Sequence, residues 1–286
     1  MKKIILIISL FVLTTLTLSA SSLRISSTEF IKDKSQYKLL DVRAPTFYAQ
    51  GHIEGAINFP ASLTFEKAAV NGKLTNPFTM QKIIQNLGLT EKETLVVYDD
   101  GSFFDSARVF WALEVYGFKN VRLLNAGYTN WRSKGLPIST TVPSIKKSNY
   151  ITIIDNNRLA TKFATQIATR NPNQVIIDAR PTQAYLGEVS AAKRYGHIPK
   201  AKNIPATHHI TSDTKVQKLK TINELKSIYK DIDKNKKVIL YCAIGKISAT
   251  NYFALRELGY NVSNYDASWK EWGNDFKLPV ENPSKK

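Results

Sequence analysis

The chain has a single cysteine, Cys242, and its setting is that of a reactive thiol. The β-favouring run Val238-Ile239-Leu240-Tyr241 leads into it, Gly245 follows three positions later, and a helical pattern begins at Ser248. A strand that breaks into a short loop and then a helix leaves a row of backbone N–H groups with no intrahelical acceptor. Together with the positive end of the helix dipole, those donors form a seat for an anion. A cysteine at the mouth of such a seat is a candidate nucleophile, because the thiolate is both the attacking form and the form the donors favour. An unperturbed thiol, with a pKa of about 8.5, is only a few per cent ionised at neutral pH, so such donors count. A lone cysteine in an ordinary setting reads as a small buried hydrophobe; the strand-to-helix break reverses that reading here.

The rest of the loop fits the same chemistry. N–H groups expected from Ala243, Ile244, Gly245, Lys246, Ile247 and Ser248 would stabilise a thiolate and any anionic adduct it forms. Gly245 lets the backbone curl without a Cβ, and Ser248 is placed both to cap the helix and to donate to sulfur. Lys246, inside so short a loop, borders the seat. Further off, Asp178 and Arg180 end another β-run; Arg180 holds an anionic substrate or pairs with Asp178. Lys193 and Arg194, just before Gly196-His197, read either as additional substrate charge or as plain surface charge. His52 and His197 read as structural, fixing the turns that start the next strands.

Two other chemistries fail on the residues. A cysteine phosphatase loop, Cys-x5-Arg, would need arginine at position 248, and Ser248 offers no bidentate guanidinium for a phosphoryl group. One cysteine and four histidines, of which His208 and His209 are adjacent, give no pair at metal-ligand spacing, so neither metal nor cofactor is expected.

The elements that must position this loop come from a chain written twice. Leu39-Leu40-Asp41-Val42-Arg43 recurs as Ile176-Ile177-Asp178-Ala179-Arg180, and Gly51-His52-Ile53 as Gly196-His197-Ile198. The strand Leu95-Val96-Val97-Tyr98 answers Val238 to Tyr241, and the helix from Ser106 answers the one from Ser248. Gly127-Tyr128-Thr129-Asn130-Trp131 answers Ser268-Trp269-Lys270-Glu271-Trp272. Five matched blocks in one order make a duplicated domain. Within each half, short β-rich runs alternate with helical stretches, which predicts a parallel sheet covered on both faces, with ligands at the carboxyl ends of its strands. Residues 21–140 form the first domain, a linker runs over 141–149 where Pro143 and a Ser/Lys cluster break the periodicity, and 150–286 form the second.

At the N-terminus, Lys2 and Lys3 precede the apolar run Ile4 to Val12 and a small-residue end at Ala20. The pattern is that of a secretory signal, with a retained membrane anchor as the alternative, and it points to an exported, periplasmic protein with no membrane span once the signal is removed. Subtracting Lys2 and Lys3 lowers the formal charge from +17 to +15, which attracts small anions in general. The lysines between 193 and 237 are scattered and lack interleaved aromatics, so no nucleic-acid partner is expected. A single cysteine excludes an internal disulfide, and an exported free thiol is a liability unless protected or used.

Taken together, these blocks resemble the rhodanese-type sulfurtransferases, specifically the two-domain thiosulfate and mercaptopyruvate enzymes. The most specific pieces are the two Gly-His-Ile blocks, the Cys-x-x-Gly-x-x-Ser loop at 242–248, and Asn264-Tyr265-Asp266-Ala267-Ser268-Trp269. The resemblance implies an α/β chain of two tandem rhodanese-like domains, each a central parallel sheet with helices on both faces. It also implies that only the second domain is catalytic, and the first half indeed has Asp99-Asp100-Gly101 where the cysteine would stand. The implied reaction runs through a persulfide on Cys242, taking sulfane sulfur from a small anionic donor and passing it to a thiophilic acceptor such as cyanide or a thiol. Thiosulfate is the expected donor; 3-mercaptopyruvate, or a relay that hands sulfur to a protein acceptor, are the alternatives. Two departures bear on the donor. Ala184 stands where the resemblance calls for a substrate arginine, and Ala243-Ile244 replace the basic or Gly-Ser neighbours of the cysteine.

Overall fold

The computed structural model describes residues 22–66, 72–211 and 216–285, so the Met1–Ala20 leader lies outside the described residues. In chain order the first half contains β1 (Arg24–Ile25), α1 (Ser27–Lys32), β2 (Tyr37–Asp41), α2 (Pro45–Gln50), β3 (His52–Ile53) and β4 (Ile57–Asn58). It continues with α3 (Pro77–Asn86), β5 (Thr94–Tyr98), α4 (Phe104–Val115), β6 (Val121–Leu124), α5 (Gly127–Ser133) and β7 (Ile138–Ser139). The second half contains β8 (Leu159–Ala160), α6 (Lys162–Ala168), β9 (Gln174–Asp178), α7 (Thr182–Leu186) and β10 (Lys202–Asn203). After these come α8 (Ile222–Ile228), β11 (Lys237–Tyr241), α9 (Ser248–Glu257), β12 (Val262–Tyr265) and α10 (Ser268–Trp272).

Each half builds one five-stranded parallel sheet, ordered β1-β6-β5-β2-β4 and β8-β12-β11-β9-β10. The two orders are the same, so the repeat read in the sequence is a repeat of topology. Alternation along the strands sends side chains to two cores. Leu39 and Val96 pack with Phe30, Tyr48 and Trp131 on one face; Leu40, Leu95 and Val97 pack with α3 and α4 on the other. The second sheet does likewise: Ile176, Ile239 and Tyr241 meet Trp269 and Trp272, while Ile177, Val238 and Leu240 meet α8 and α9.

The two halves share their larger core. In α4 every residue from Ser106 to Val115 is buried, and in α9 every residue from Ser248 to Leu255. A helix covered all round lies between layers, and here α4 and α9 lie against each other. Phe110 meets Phe253 edge-on with ring centroids 5.1 Å apart, and Arg256 donates to Glu114 at 2.9 Å. Burial of each such aromatic contributes about 1.5–3 kcal/mol, so the halves are held as one body by a hydrophobic seam.

The connection between the halves has no strand or helix from Thr140 to Asp155. Tyr150 is buried and its hydroxyl donates to the Tyr116 carbonyl, while Asp155 N–H donates to Val115 O at 2.8 Å. The boundary read at 149/150 therefore falls inside a segment that runs along the first half as far as Asp155. That segment carries apolar side chains into the first half's core, a use that Pro143 and the Ser/Lys cluster do not announce. Among the described residues, no helix is long and apolar enough to cross a membrane.

Candidate active site at the Cys242 loop

At the carboxyl ends of β9 and β11 the register places Asp178 beside Tyr241. Tyr241 donates to Asp178 Oδ2 at 2.6 Å, and Arg180 closes on the same carboxylate at 2.6 Å and on the Gly196 carbonyl at 2.8 Å. The first half repeats this: Tyr98 and Arg43 bind Asp41, and Arg43 also reaches Gly51 O. Since the half without a cysteine has the same Arg-Asp-Tyr frame, the pairing with Asp178 is the role Arg180 performs. Its Nη1 is buried and, among the described residues, has no hydrogen-bond partner. His52 and His197 bind backbone carbonyls, of Tyr48 and Tyr185, through Nδ1 and stack on those tyrosines, the structural role expected of them.

One residue beyond that frame lies Cys242, 1 % exposed and in contact with an apolar group of Ala179, Ala206, Phe104 and Ile247. Its carbonyl accepts from Trp269 N–H at 3.0 Å and its N–H donates to Ser268 Oγ at 3.2 Å, so the backbone at the cysteine is fixed by the start of α10. Gly245 has φ +70°, and a Cβ there would sit 2.4 Å from the Asp266 carbonyl oxygen; both facts require glycine. Among the described residues, none of the N–H groups of Ala243, Ile244, Gly245, Lys246, Ile247 and Ser248 donates to a protein acceptor. These N–H groups precede and open the ten-residue helix α9.

Ser248 Oγ lies 3.3 Å from Cys242 Sγ and 2.7 Å from Asn264 Oδ1. The hydroxyl has one proton for two acceptors. In the thiol state the proton goes to Asn264, and Ser248 Oγ is free to accept S–H; once sulfur is anionic, the hydroxyl gains by turning to it. Asn264, from the end of β12, also donates through Nδ2 to Gly245 O at 3.1 Å. One side chain thus couples the serine to the glycine of the loop.

Lys246 does not face the seat alone. Its ammonium is 2.7 Å from Asp105 Oδ1, at the start of α4, and both side chains are about one-third exposed. The first half supplies a counter-charge that the loop sequence does not contain. Arg194 is spent elsewhere: it donates to the carbonyls of Trp272, Gly273, Asp275 and Leu278. These carbonyls lie at the end of α10 and in the turn that follows it, and cationic side chains bind such groups. Lys193 is exposed, and its backbone N–H donates to Asn274. Ala184 is buried in α7 and brings no polar group.

Two further side chains border the loop without having been legible from it. Arg108, from α4, is fully buried; Nη1 donates to Gly245 O at 3.0 Å and Nη2 to Thr64 O at 3.2 Å. Burial pulls its pKa down to about 10, against the opposing pull of Asp266 and Cys242. Asp266, just after β12, accepts from Leu74 N–H at 3.2 Å, and burial raises its pKa. Gly72 lies against Ile244 so closely that a Cβ there would stand 2.8 Å from the Ile244 Cα. The segment from Gly72 to Leu74 therefore seats the first half on the Cys242 loop.

The matching loop in the first half is filled. Asp99 occupies the place of the cysteine, and its carboxylate accepts from Gly101 N–H at 2.8 Å, from Ser106 N–H at 3.1 Å and from Ser106 Oγ at 3.1 Å. Burial, with Asp100 nearby, raises the Asp99 pKa to about 6. No thiol is present there to carry sulfur.

Comparison with known proteins agrees with this geometry. The rhodanese-like domain family matches residues 27–134 and, a second time, 159–275. The 3-mercaptopyruvate sulfurtransferase of Escherichia coli K12 is 30% identical over 241 residues, covering 82% of this chain and 84% of that protein. The sulfur carrier protein TtuD of Thermus thermophilus is 32% identical over 249 residues, covering 82% and 86%. The crystal structure of SseA from Escherichia coli, a 3-mercaptopyruvate sulfotransferase, superposes with a TM-score of 0.76 at 26% identity, covering 87% of this chain and all of that one. The two sheets of one topology, the cysteine at a strand end in the second and these relatives lead to one assignment: the chain belongs to the rhodanese-like family and is a two-domain sulfurtransferase of the thiosulfate/3-mercaptopyruvate type.

Proposed function

We propose that the donor is thiosulfate and that sulfur passes through a persulfide on Cys242. The observation that carries this is the set of open N–H donors from Ala243 to Ser248 in the loop that follows a thiol that Ser248 already reaches. The Cys242 thiolate attacks the sulfane sulfur of thiosulfate, the S–S bond of the donor breaks, and sulfite leaves with the bonding pair. The persulfide so formed is anionic and is held by the same donors. Cyanide or a thiol then attacks the outer sulfur and returns Cys242 as thiolate.

The choice of thiosulfate over 3-mercaptopyruvate is supported by what surrounds the loop. A carboxylate donor is best held by an arginine fork. Arg180 gives Nε and Nη2 to Asp178 and Gly196 O and keeps only the buried Nη1 open, Arg194 is spent on backbone carbonyls, and Ala184 supplies nothing. A dianion without a carboxylate needs only the N–H seat and the general positive field. The test is intact mass after addition of each donor, with kcat/KM for both and cyanide as acceptor. Thiosulfate should add about 32 Da, one sulfur atom, to the wild type and nothing to Cys242→Ser; a higher kcat/KM for 3-mercaptopyruvate would overturn the choice of donor.

A second reading, sulfur relay to a protein acceptor, is favoured by the likeness to the sulfur carrier protein of Thermus thermophilus. Persulfide that forms readily but turns over slowly with cyanide and small thiols would put the relay first. We also propose that the leader from Met1 to Ala20 exports the chain to the periplasm, which N-terminal sequencing of protein from fractionated cells tests.

A further inference from the structure

Arg108 belongs to the half that has no cysteine, yet one arm of its guanidinium crosses to the Cys242 loop while the others are anchored on Thr64 and Gly72 of its own half. Nη1 binds Gly245 O, Nη2 binds Thr64 O, and Nε binds Thr64 Oγ1 at 3.1 Å. The guanidinium is stacked between Phe65, 4.1 Å away, and Trp111, 4.7 Å away. Among the described residues it makes no ion pair, so a full positive charge is buried with carbonyls and aromatic faces as its shell. Burying a charge this way is costly and is tolerated where the geometry over-determines it.

From Arg108 a continuous line of hydrogen bonds reaches the sulfur. Gly245 O accepts from Arg108 and from Asn264, Asn264 accepts from Ser248, and Ser248 reaches Cys242 Sγ. With two donors on it, the Gly245 carbonyl is held out of the seat. A carbonyl turned into the seat would place a partial negative charge against an anionic sulfur, so its outward fixing is an electrostatic requirement. The equivalent position in the second half is Thr250, which reaches the matching Phe103 carbonyl of the first half at 3.3 Å with a neutral hydroxyl. The charge is present on only one side of this pseudo-symmetric pair, the side whose partner loop carries the thiol.

We propose that Arg108 is the positioning residue of the catalytic loop, fixing the Gly245 carbonyl outward from the first half and lending its charge to the anionic forms of Cys242. This rests on the persulfide reading of Cys242 but not on the identity of the donor. The other charged or titratable groups around the cysteine are Asp266 at the end of β12, the Lys246–Asp105 pair, and Asp178, Arg180 and Tyr241 on the adjoining strand ends. His209, on the turn that brings Ala206 against Cys242, is pushed by burial down to about 4 and is neutral at working pH, while His208 beside it is exposed.

The experiment measures the rate of Cys242 alkylation by iodoacetamide against pH, which reads thiolate without any sulfur donor, and then single-turnover persulfide formation with thiosulfate. Arg108→Gln should move the alkylation midpoint up by about one pH unit, a tenfold loss of thiolate below it. Arg108→Lys should keep the midpoint, since the charge remains, and slow persulfide formation about tenfold, since the fork to Gly245 is lost. Thr250→Val should leave the alkylation profile in place. A Gln profile that coincides with wild type, or a Lys variant loading sulfur at the wild-type rate, would overturn the proposal. Should the Gln variant not fold, the Lys variant decides alone on its loading rate. Absence of persulfide in the wild type would instead strike the persulfide reading, while the alkylation profiles would still decide whether Arg108 acts on the thiol.

Discussion

Asp99 and Cys242 stand at the same strand end of the two halves, and the same serine hydroxyl reaches each: Ser106 to the Asp99 carboxylate at 3.1 Å, Ser248 to the Cys242 sulfur at 3.3 Å. In the first half the anion is built in and the loop's donors are consumed by it. In the second half the donors stay open, and in the proposed reaction the anion would be made on Cys242. The first loop thus shows where the turn's donors point, although burial keeps the Asp99 carboxyl harder to ionise than in water.

Replacing Cys242 by Ser should abolish sulfur transfer and leave the fold intact, because the change is nearly isosteric and the hydroxyl cannot hold a sulfane sulfur. Thiosulfate:cyanide activity above background in the purified variant would exclude the persulfide route.

For Asp99 the pH effect has a definite sign. Its pKa is raised from 3.8 to about 6, so between those values the native state keeps a proton that the unfolded chain has released. Stability from this group therefore falls as pH rises through that window and is level above it, by on the order of 3 kcal/mol in all. Urea unfolding of wild type and Asp99→Asn at pH 4 and pH 7 should show the wild type losing ground to the variant as pH rises. Activity at pH 7.5 should be unchanged within about twofold, in Asp99→Asn and in the Asp99→Asn, Asp100→Asn double variant, since neither carboxylate lies on the path of sulfur.

The Lys246–Asp105 pair makes opposite predictions for its two members. Asp105→Asn frees the ammonium to meet an incoming dianion and should lower KM for thiosulfate, with kcat little changed and a steeper dependence on salt. Lys246→Met should raise KM and flatten that dependence. Because both side chains are partly exposed, each effect should be worth about 1 kcal/mol or less, a few-fold in KM. Equal and unchanged KM in both variants would place Lys246 outside the substrate's field.

Asn264 should matter more than its distance from the sulfur suggests. Asn264→Ala removes the acceptor that orients Ser248 and one of the two donors on Gly245 O. Loss of a buried hydrogen-bond partner costs about 1–3 kcal/mol, so kcat/KM should fall by about 5- to 150-fold while the unfolding transition stays cooperative. An unchanged pH–rate profile with full activity would show that Ser248 needs no partner.

What could be read from the chain itself was whatever is contiguous. Cys242, Gly245 and Ser248 are three positions apart in one loop, and the doubled blocks give the topology because each strand and helix carries its own pattern. Arg108, Asn264 and Asp266 act on that loop from another domain or from the next strand, and no spacing in the sequence connects Arg108 with Gly245. Lys246 was legible as a bordering charge, whereas Asp105, 141 positions earlier in the other half, was not legible as its partner. Arg194 shows the converse: a basic residue beside a substrate-like block goes to the carbonyls at the end of α10 and in the turn after it, a demand visible only once that segment is folded.

The contact between Arg108 and Gly245 joins two domains, but it is made within one covalent chain through the connection that runs along the first half to Asp155. A tether of this kind holds the partners at an effective concentration in the millimolar range for a short flexible linker, and higher when the linker is itself docked. Assembly of the Cys242 loop is therefore a first-order event, indifferent to dilution. Cut within the tether, the same two halves would have to find each other by diffusion, and sulfur transfer would acquire a dependence on protein concentration that the intact chain does not have.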